Sequence, residues 1–161
     1  MHNKIHPSLN RRALLVALPL TALSACGRRI EPIPAADVVE HYRVVVDALI
    51  AAMDSVRKLG WHPSGVHSTE TPKRCSTYSP GHWESDHWLY EKPGTGMDWE
   101  PWLEALDPVL KEHGFTKLGR EKREGGHLTR SSSDIHGAVL KIYARGILEI
   151  YDAQVGDPSC N

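Results

Sequence analysis

The densest group of side chains that could bind a metal ion lies at residues 82–87, which read His-Trp-Glu-Ser-Asp-His. Alternate residues of a β-strand share a face, so in a strand His82, Glu84 and Asp86 would project from the same side. Imidazole and carboxylate groups are ligands for divalent cations. The segment has no His-Glu-x-x-His or His-x-His spacing, and alternating polar and aromatic residues are equally typical of an exposed strand. Metal binding is therefore the alternative function and not the preferred one.

A Ser-His-Asp hydrolase has weaker support. Residues 131–136 read Ser-Ser-Ser-Asp-Ile-His and contain the required residue types. Adjacency in the sequence is not triad geometry, however, and the sequence has no Gly-x-Ser-x-Gly turn. The run predicts a loop between strands, and no catalytic residue is assigned.

All five tryptophans lie in the segment from 61 to 102. Trp99 and Trp102 fall on the apolar stripe of a predicted helix, so we expect them in the core. Trp61, Trp83 and Trp88 are candidates for an exposed binding surface, because aromatic side chains stack on sugars and dominate protein interfaces. Packing in the core is the competing interpretation for these three.

Cys26 follows a segment that is typical of bacterial export signals. Basic residues among the first twelve positions precede an apolar run over 13–23, which is too short to span a bilayer as a stable helix. The run ends in Leu-Ser-Ala-Cys at 23–26, which resembles a lipobox. That resemblance implies that the Cys26 thiol carries a diacylglyceryl group, that the chain is cleaved before Cys26, and that the lipid holds the domain on a membrane.

Two alternatives stay open for this segment. An ordinary signal peptidase would leave Cys26 as a thiol. Residues 10–15 read Asn-Arg-Arg-Ala-Leu-Leu and resemble a twin-arginine motif. The sequence is therefore compatible with export by the Sec route or by the twin-arginine route. Removal of residues 1–25 takes three of the 19 basic residues and none of the 20 acidic ones, which leaves a mature net charge of about −4.

Composition excludes several classes of protein. With 161 residues, 40% hydrophobic and 24% charged, the chain is not a polytopic membrane protein, a disordered chain or a coiled coil. The balance of acids and bases predicts no nucleic-acid partner. One predicted hairpin is basic, and its interleaved glutamates favour a solvated edge strand. Its basic residues are Lys117, Arg120, Lys122, Arg123 and Arg130.

Cys75 and Cys160 are the cysteines that remain once Cys26 is assigned to lipid. Disulfides form and persist in exported domains, so we predict a bond between them. Two free thiols are the alternative, whereas a redox pair would want a Cys-x-x-Cys spacing that is absent. A bond that closes so long a loop would restrict the unfolded chain, and this loss of conformational entropy would stabilise the folded state by about 4 to 5 kcal/mol.

Apolar spacing predicts two helices. Residues 35–59 are apolar at helical spacing, and Gly60 is predicted to end this first helix. The second helix is expected to begin at an N-cap, Asp98, to kink or break at Pro108 and to stop at Gly114.

The remaining segments predict antiparallel strands. Turn residues and alternating apolar residues favour short strands over 66–71 and 82–90. Four later runs, with glycine-containing turns after the first and after the third, predict a C-terminal β-meander. These runs span 115–123, 127–132, 135–144 and 147–153.

The predicted domain organisation has three parts: a lipoprotein signal peptide over 1–25, a lipidated cysteine with a short tether over 26–36, and one globular domain over 37–161. We predict an α+β fold in which two helices pack on an antiparallel β-sheet, with one disulfide. At ~3.3 Å per extended residue the tether reaches about 30 Å, so the domain would stay near the membrane.

The order of these features resembles that of the small actinobacterial lipoproteins of the LppA-like kind. The shared features are the lipobox ending at Cys26, a long first helix, Cys75 ahead of an aromatic strand with Trp83 and Trp88, a tryptophan-containing second helix, late strands and a final cysteine, Cys160. The resemblance covers nearly the whole mature chain. It implies membrane localisation and the disulfide, and it carries over no catalytic residue.

The sequence therefore predicts a membrane-anchored lipoprotein on the extracytoplasmic side of the cell membrane. Its domain is expected to be a non-enzymatic binding module for an envelope or secreted protein, without a cofactor. One alternative is a metal-binding protein or metal-assisted hydrolase that uses His82, Glu84 and Asp86. Another is glycan or lipid binding by the tryptophans.

Overall fold

A computed structural model describes residues 29–65, 70–91 and 96–160. The predicted signal peptide and Cys26 lie outside these residues. Within them the chain forms two α-helices, eight β-strands and a short 3₁₀ turn at Pro158–Cys160. The helices and strands are α1 (Val38–Val56), β1 (Trp61–Ser64), β2 (Ser76–Tyr78), β3 (Gly81–Ser85), α2 (Glu100–Glu112), β4 (Lys122–Glu124), β5 (His127–Ser133), β6 (Val139–Tyr143), β7 (Ile147–Tyr151) and β8 (Ala153–Val155).

Six strands form one antiparallel sheet in the order β1-β3-β7-β6-β5-β4. Consecutive antiparallel pairs from β4 to β7 confirm the predicted C-terminal meander. Strand β3 pairs with β7, and β1 pairs with β3, so these two earlier strands extend the sheet beyond β7. Strand β4 is an edge of the sheet, as the basic, glutamate-interleaved hairpin predicts.

The two helices contact each other and pack on one face of the six-stranded sheet, so the predicted α+β fold is confirmed. The alternation in β7 shows how the sequence selects that face. Leu148 and Ile150 are buried in the core, whereas Glu149 and Tyr151 lie half-buried on the opposite face. That opposite face is not covered by any helix of the described chain.

A second, two-stranded sheet joins β2 to β8. The predicted strand over 147–153 is wrong in this respect, because Asp152 adopts a positive φ of 66° and breaks it into β7 and β8. Ile33 forms a parallel bridge with Val155. The predicted disulfide is confirmed, with a Cα–Cα distance of 5.2 Å between Cys75 and Cys160.

The end of α1 differs from the predicted one. Helix α1 ends at Val56, and Arg57 is already extended. Gly60 does not cap the helix. It turns the chain into β1 with a φ of +71°, and a side chain there would collide with the Asp86 carboxylate.

Helix α2 continues through Pro108 to Glu112, so the helix does not break there. Pro108 lies on the exposed side of α2, and the buried Leu106 and Leu110 on either side of it hold the helix against the core. The predicted stop at Gly114 is confirmed. Gly114 has a φ of 76°, and the Phe115 amide donates to the Leu110 carbonyl at 2.8 Å.

Two predicted strands differ from the observed ones, and a third lies largely outside the described residues. That third strand was expected over 66–71, and β1 forms earlier in the chain. The strand expected over 82–90 ends at Ser85. The first run of the meander, 115–123, is mostly irregular, because it bonds to β5 only intermittently, for example from the Gly119 amide to the Ser131 carbonyl at 2.8 Å.

Candidate binding surface at the far end of the domain

The domain has two ends, defined by the direction of α1. At the entry end the chain arrives from residue 29, Ile33 joins β8, and α1 begins at Val38. The connection between β5 and β6 lies at the same end, where the Glu31 amide donates to the Ile135 carbonyl at 2.8 Å. At the far end α1 finishes, and the β4–β5 and β6–β7 turns lie beside the segment that follows β3.

The entry end contains a buried carboxylate. Asp134 is 2% exposed, and it accepts hydrogen bonds from the Tyr42 hydroxyl at 2.6 Å and from the amides of His136 at 2.9 Å and Ala138 at 2.8 Å. Burial and the neighbouring Asp134 carboxylate raise the pKa of the Tyr42 hydroxyl far above its usual range. Asp134 therefore stabilises the fold and does not act as a triad acid.

The loop predicted for the Ser-Ser-Ser-Asp-Ile-His run is only partly correct. Its three serines belong to β5, and residues 134–136 lie in the connection between β5 and β6. Ser132 is buried and donates to the Thr116 carbonyl at 2.5 Å, which satisfies its hydroxyl inside the sheet. His136 contacts the Glu31 carbonyl through Nδ1 at 2.6 Å. The residue types of a triad are present, but their contacts are structural.

The candidate metal ligands are only partly brought together. His82 and Glu84 share the uncovered face of the sheet, with 3.0 Å between Nε2 and Oε1. This hydrogen bond from His82 holds the pKa of the Glu84 carboxyl below its usual value. Asp86 lies beyond the end of β3 and faces His62, whose Nδ1 is 3.8 Å from Oδ1. In the described part of the chain, no group of three or more His, Cys, Asp or Glu residues could hold a metal ion.

The uncovered face of the sheet pairs its charges internally. Tyr143 donates to Glu149 at 3.1 Å, and the Lys141 ammonium donates to Glu124 at 2.8 Å. The Glu124 carboxylate raises the pKa of Lys141, and burial followed by the Glu149 charge raises the pKa of Tyr143. These contacts leave few charged groups on this face available for a ligand.

The three tryptophans proposed as a binding surface are separated by the fold. Trp83 pairs in register with the buried Leu148, so its side chain lies on the helix-facing side of the sheet. Trp61 and Trp83 are half-buried and pack against the core. Trp88 is 44% exposed. Trp88 is therefore the tryptophan of this set that a ligand or partner can contact broadly.

Trp88 borders a cleft of about 470 Å³ at the far end. Its ring lies edge-on to Tyr90, with 5.2 Å between the ring centroids. Arg57 and Lys58, which follow α1, line the same cleft, as does Asp86. The cleft thus combines an exposed aromatic ring with charges of both signs.

A second cleft of about 440 Å³ adjoins the first, and Tyr90 lines both. Its charged rim consists of Arg123, His127 and Arg145. An Arg145 guanidinium nitrogen lies 3.4 Å from His127 Nε2, and Arg123 donates to the Gly126 carbonyl at 3.4 Å. None of the described residues that line this cleft is acidic.

Close backbone packing positions this second cleft. Gly146, in the β6–β7 turn, has a φ of 87°, and a side chain there would collide with Ser85 and the His87 carbonyl. The Ser85 amide donates to the Gly146 carbonyl at 2.9 Å, and the Leu89 amide donates to the Ala144 carbonyl at 2.8 Å. The turn that carries Arg145 is therefore held against the segment that carries Trp88 and Tyr90.

A third cavity, of about 520 Å³, lies along α2 and is lined by both acidic and basic side chains. Lys117 Nζ lies 3.0 Å from Asp107 Oδ2, so charges in this cavity neutralise each other. It offers less to a charged ligand than the far-end clefts do.

Sequence reasoning missed Tyr90, His127 and Arg145 as site residues. A usable signal was present, because alternate turns of an antiparallel meander lie at the same end of the sheet. The Gly125-Gly126 turn and the Arg145-Gly146 turn are alternate turns of this meander. Their basic residues could have been assigned to one surface.

No helix in the described ranges is both long and apolar enough to span a membrane.

Comparison with other proteins assigns neither a family nor a function to the chain. The chain matches no protein-family model, no curated protein and no solved structure with which it was compared.

Proposed function

We propose that this chain is a lipid-anchored protein of the cell envelope, whose domain is a non-enzymatic module that binds an envelope or secreted protein. Cys26 would carry the lipid on the extracytoplasmic side of the membrane. The lipobox-like sequence at 23–26 and the resemblance to LppA-like lipoproteins support this anchoring. The far end of the domain would contact the partner.

The observation that carries the proposal is the separation of the two ends. Helix α1 has 19 residues, so it spans roughly 28 Å between the point where the chain enters and the two clefts. A short tether at the entry end would point the far end away from the membrane. Trp88, Arg123 and Arg145 would then face the envelope space.

The composition of the far end is that of a recognition surface. Tryptophan, tyrosine and arginine are the residue types that contribute most binding energy at protein interfaces. Trp88 and Tyr90 lie there on the segment after β3, and Arg145 lies on the β6–β7 turn that is hydrogen-bonded to this segment. Holding such a surface near a membrane raises its effective concentration towards other envelope proteins.

Anchoring is tested with Cys26→Ala. We expect the wild-type chain to sediment with membranes and the variant to appear in the soluble extracytoplasmic fraction, because the variant lacks the thiol that lipid would modify. Cys75→Ser serves as the control, since it also removes a cysteine but leaves Cys26 intact. Retention of the Cys26→Ala chain on membranes would contradict the lipid anchor.

Partner binding is tested by photo-crosslinking in the native membrane. A photoreactive residue at position 88 should trap one reproducible protein, identified by mass spectrometry. The matched control is position 44 on α1, because Val44 is 42% exposed and Trp88 44%. A partner trapped equally from both positions, or none from position 88, would contradict binding at the far end.

A further inference from the structure

We propose that the cleft between Tyr90, Arg123, His127 and Arg145 binds a small organic anion, whose phosphate or carboxylate group is held by the two guanidinium groups. This inference deepens the proposed function by naming a ligand class for the far end. It rests on the proposed function only for the direction in which the cleft faces.

The first argument is uncompensated charge. In the described part of the chain neither Arg123 nor Arg145 pairs with a carboxylate. The glutamates on either side of Arg123 are engaged elsewhere: Glu121 accepts from the Trp99 indole at 2.6 Å, and Glu124 accepts from Lys141 at 2.8 Å. The cleft therefore gathers positive charge in a chain that is acidic after removal of 1–25.

The second argument is the positioning of the arginines. Arg123 belongs to β4 and Arg145 to the β6–β7 turn, and each makes a polar contact at the cleft rim. The Arg145 guanidinium also lies 5.9 Å from the centroid of the Tyr143 ring, a cation–π contact that helps to hold it in place. Guanidinium groups held in this way lose less side-chain freedom when they bind an anion.

The third argument is the size and lining of the cleft. A volume of about 440 Å³ suits a small molecule, since ligand pockets typically enclose about 300–1,000 Å³. Tyr90, Met97 and Leu128 are half-buried and give the cleft an apolar wall. A ligand with an anionic group and a ring or apolar body fits this combination better than an inorganic ion does.

The neighbouring Trp88 cleft does not offer the same chemistry. Asp86 and Glu91 line it together with Arg57 and Lys58, so an anion there would meet like charges. The anion site is thus confined to the second cleft. Because that cleft faces away from the membrane in the proposed orientation, the anion would come from a dissolved or wall-borne molecule and not from a lipid headgroup of the same membrane.

Isothermal titration of the full chain in detergent micelles tests the site, with phenyl phosphate, benzoate and inorganic phosphate as probes. We expect saturable one-to-one binding of the two aromatic anions, weaker binding of inorganic phosphate, and a loss of affinity as NaCl is raised. Absence of saturable binding by the wild-type chain for all three probes would overturn the proposal.

Arginine variants locate the site. We expect Arg123→Gln and Arg145→Gln each to weaken phenyl phosphate binding by about tenfold, because each removes a charge-assisted hydrogen bond. The matched control is Arg120→Gln, which makes the same change at an exposed arginine outside the cleft. An equal loss of affinity in Arg120→Gln would show that binding depends on the overall charge of the domain and not on this cleft, and it would overturn the site. Circular dichroism and thermal unfolding verify that all three variants fold.

Vesicle flotation identifies the source of the anion. The Cys26→Ala chain is mixed with phosphatidylcholine vesicles or with vesicles that contain phosphatidylglycerol. We expect it to float with neither. Flotation with phosphatidylglycerol that disappears in Arg145→Gln would overturn the dissolved-anion source in favour of a lipid headgroup. The titration does not depend on anchoring, so a failed anchor and a failed anion site give different results.

Discussion

The entry end and the far end of the domain use polar side chains in opposite ways. At the entry end Asp134 is buried and accepts three hydrogen bonds, and the disulfide and the β2–β8 sheet lie beyond it. At the far end Trp88 is exposed, and Arg123 and Arg145 have no carboxylate partner in the described residues.

This difference separates stability from recognition. A buried carboxylate must be fully hydrogen-bonded, because an unpaired charge inside a protein is costly. Exposed arginines and aromatics incur no such cost, so they remain available for a ligand. We expect substitutions at the entry end to change the free energy of unfolding and substitutions at the far end to change binding.

The disulfide should give the largest effect. Cys75→Ser and Cys160→Ser should each lower the free energy of unfolding by about 4 to 5 kcal/mol, because the bond closes a separation of 85 positions and restricts the unfolded chain. Urea unfolding measures this. The double variant should be no less stable than either single one. Additive losses would show that the two cysteines act separately.

A smaller effect than that of the disulfide should come from Asp134→Ala. The change leaves the Tyr42 hydroxyl and two backbone amides without their acceptor, and we expect a loss of about 3 kcal/mol in urea unfolding. Asp47→Ala is the control, because it removes an exposed carboxylate that pairs with Arg43 on the surface of α1, and it should cost less than about 0.5 kcal/mol. Equal losses would remove the distinction between a buried and an exposed carboxylate.

A smaller, pH-dependent effect should involve His41 at the entry end. Burial, together with the nearby His136, lowers the pKa of His41 below its ordinary 6.5, and its ring packs 5.3 Å from that of His136. The unfolded chain therefore binds a proton at a higher pH than the folded one. Stability should fall as the pH is lowered through 6.5, by less than about 1 kcal/mol for this half-exposed group.

The His41 contribution is isolated by substitution. His41→Gln should flatten the pH dependence of the melting temperature between about pH 7 and pH 5. The matched control is His87→Gln, which makes the same change at the exposed far end. The carboxyls of Glu40, Glu84 and Asp157 have lowered pKa values, so their contributions are lost only at more acidic pH. Identical profiles for the wild type and His41→Gln would contradict the prediction.

The smallest effect on stability should come from Trp88→Ala. Its exposed ring makes few core contacts, so we expect a change within about 0.5 kcal/mol together with loss of partner binding. Trp102→Ala is the contrasting variant. It empties a buried site in α2 and should cost about 3 to 5 kcal/mol. A large loss of stability in Trp88→Ala would mean that the far end is structural as well.

The sequence predicted features that depend on local periodicity. Apolar spacing located both helices, alternation in β7 identified its buried face, and the pair of cysteines at 75 and 160 indicated the disulfide. These predictions succeeded because each depends on one segment or on residue counts. The helix end expected at Gly60 and the loop expected at Ser132 did not form, and the helix does not break at Pro108. These features depend on the groups that pack beside each residue.

The sequence by itself determined the fold class, the pairing of Cys75 with Cys160 and the burial of Trp99 and Trp102. Only the tertiary structure decided that Trp61 and Trp83 face the core while Trp88 faces solvent, and that Tyr90 lies between two clefts. The physical reason is the separation along the chain of the residues that determine each feature. Secondary structure follows side-chain patterns within a segment, whereas a surface forms from turns that are distant in sequence and meet only when the sheet assembles.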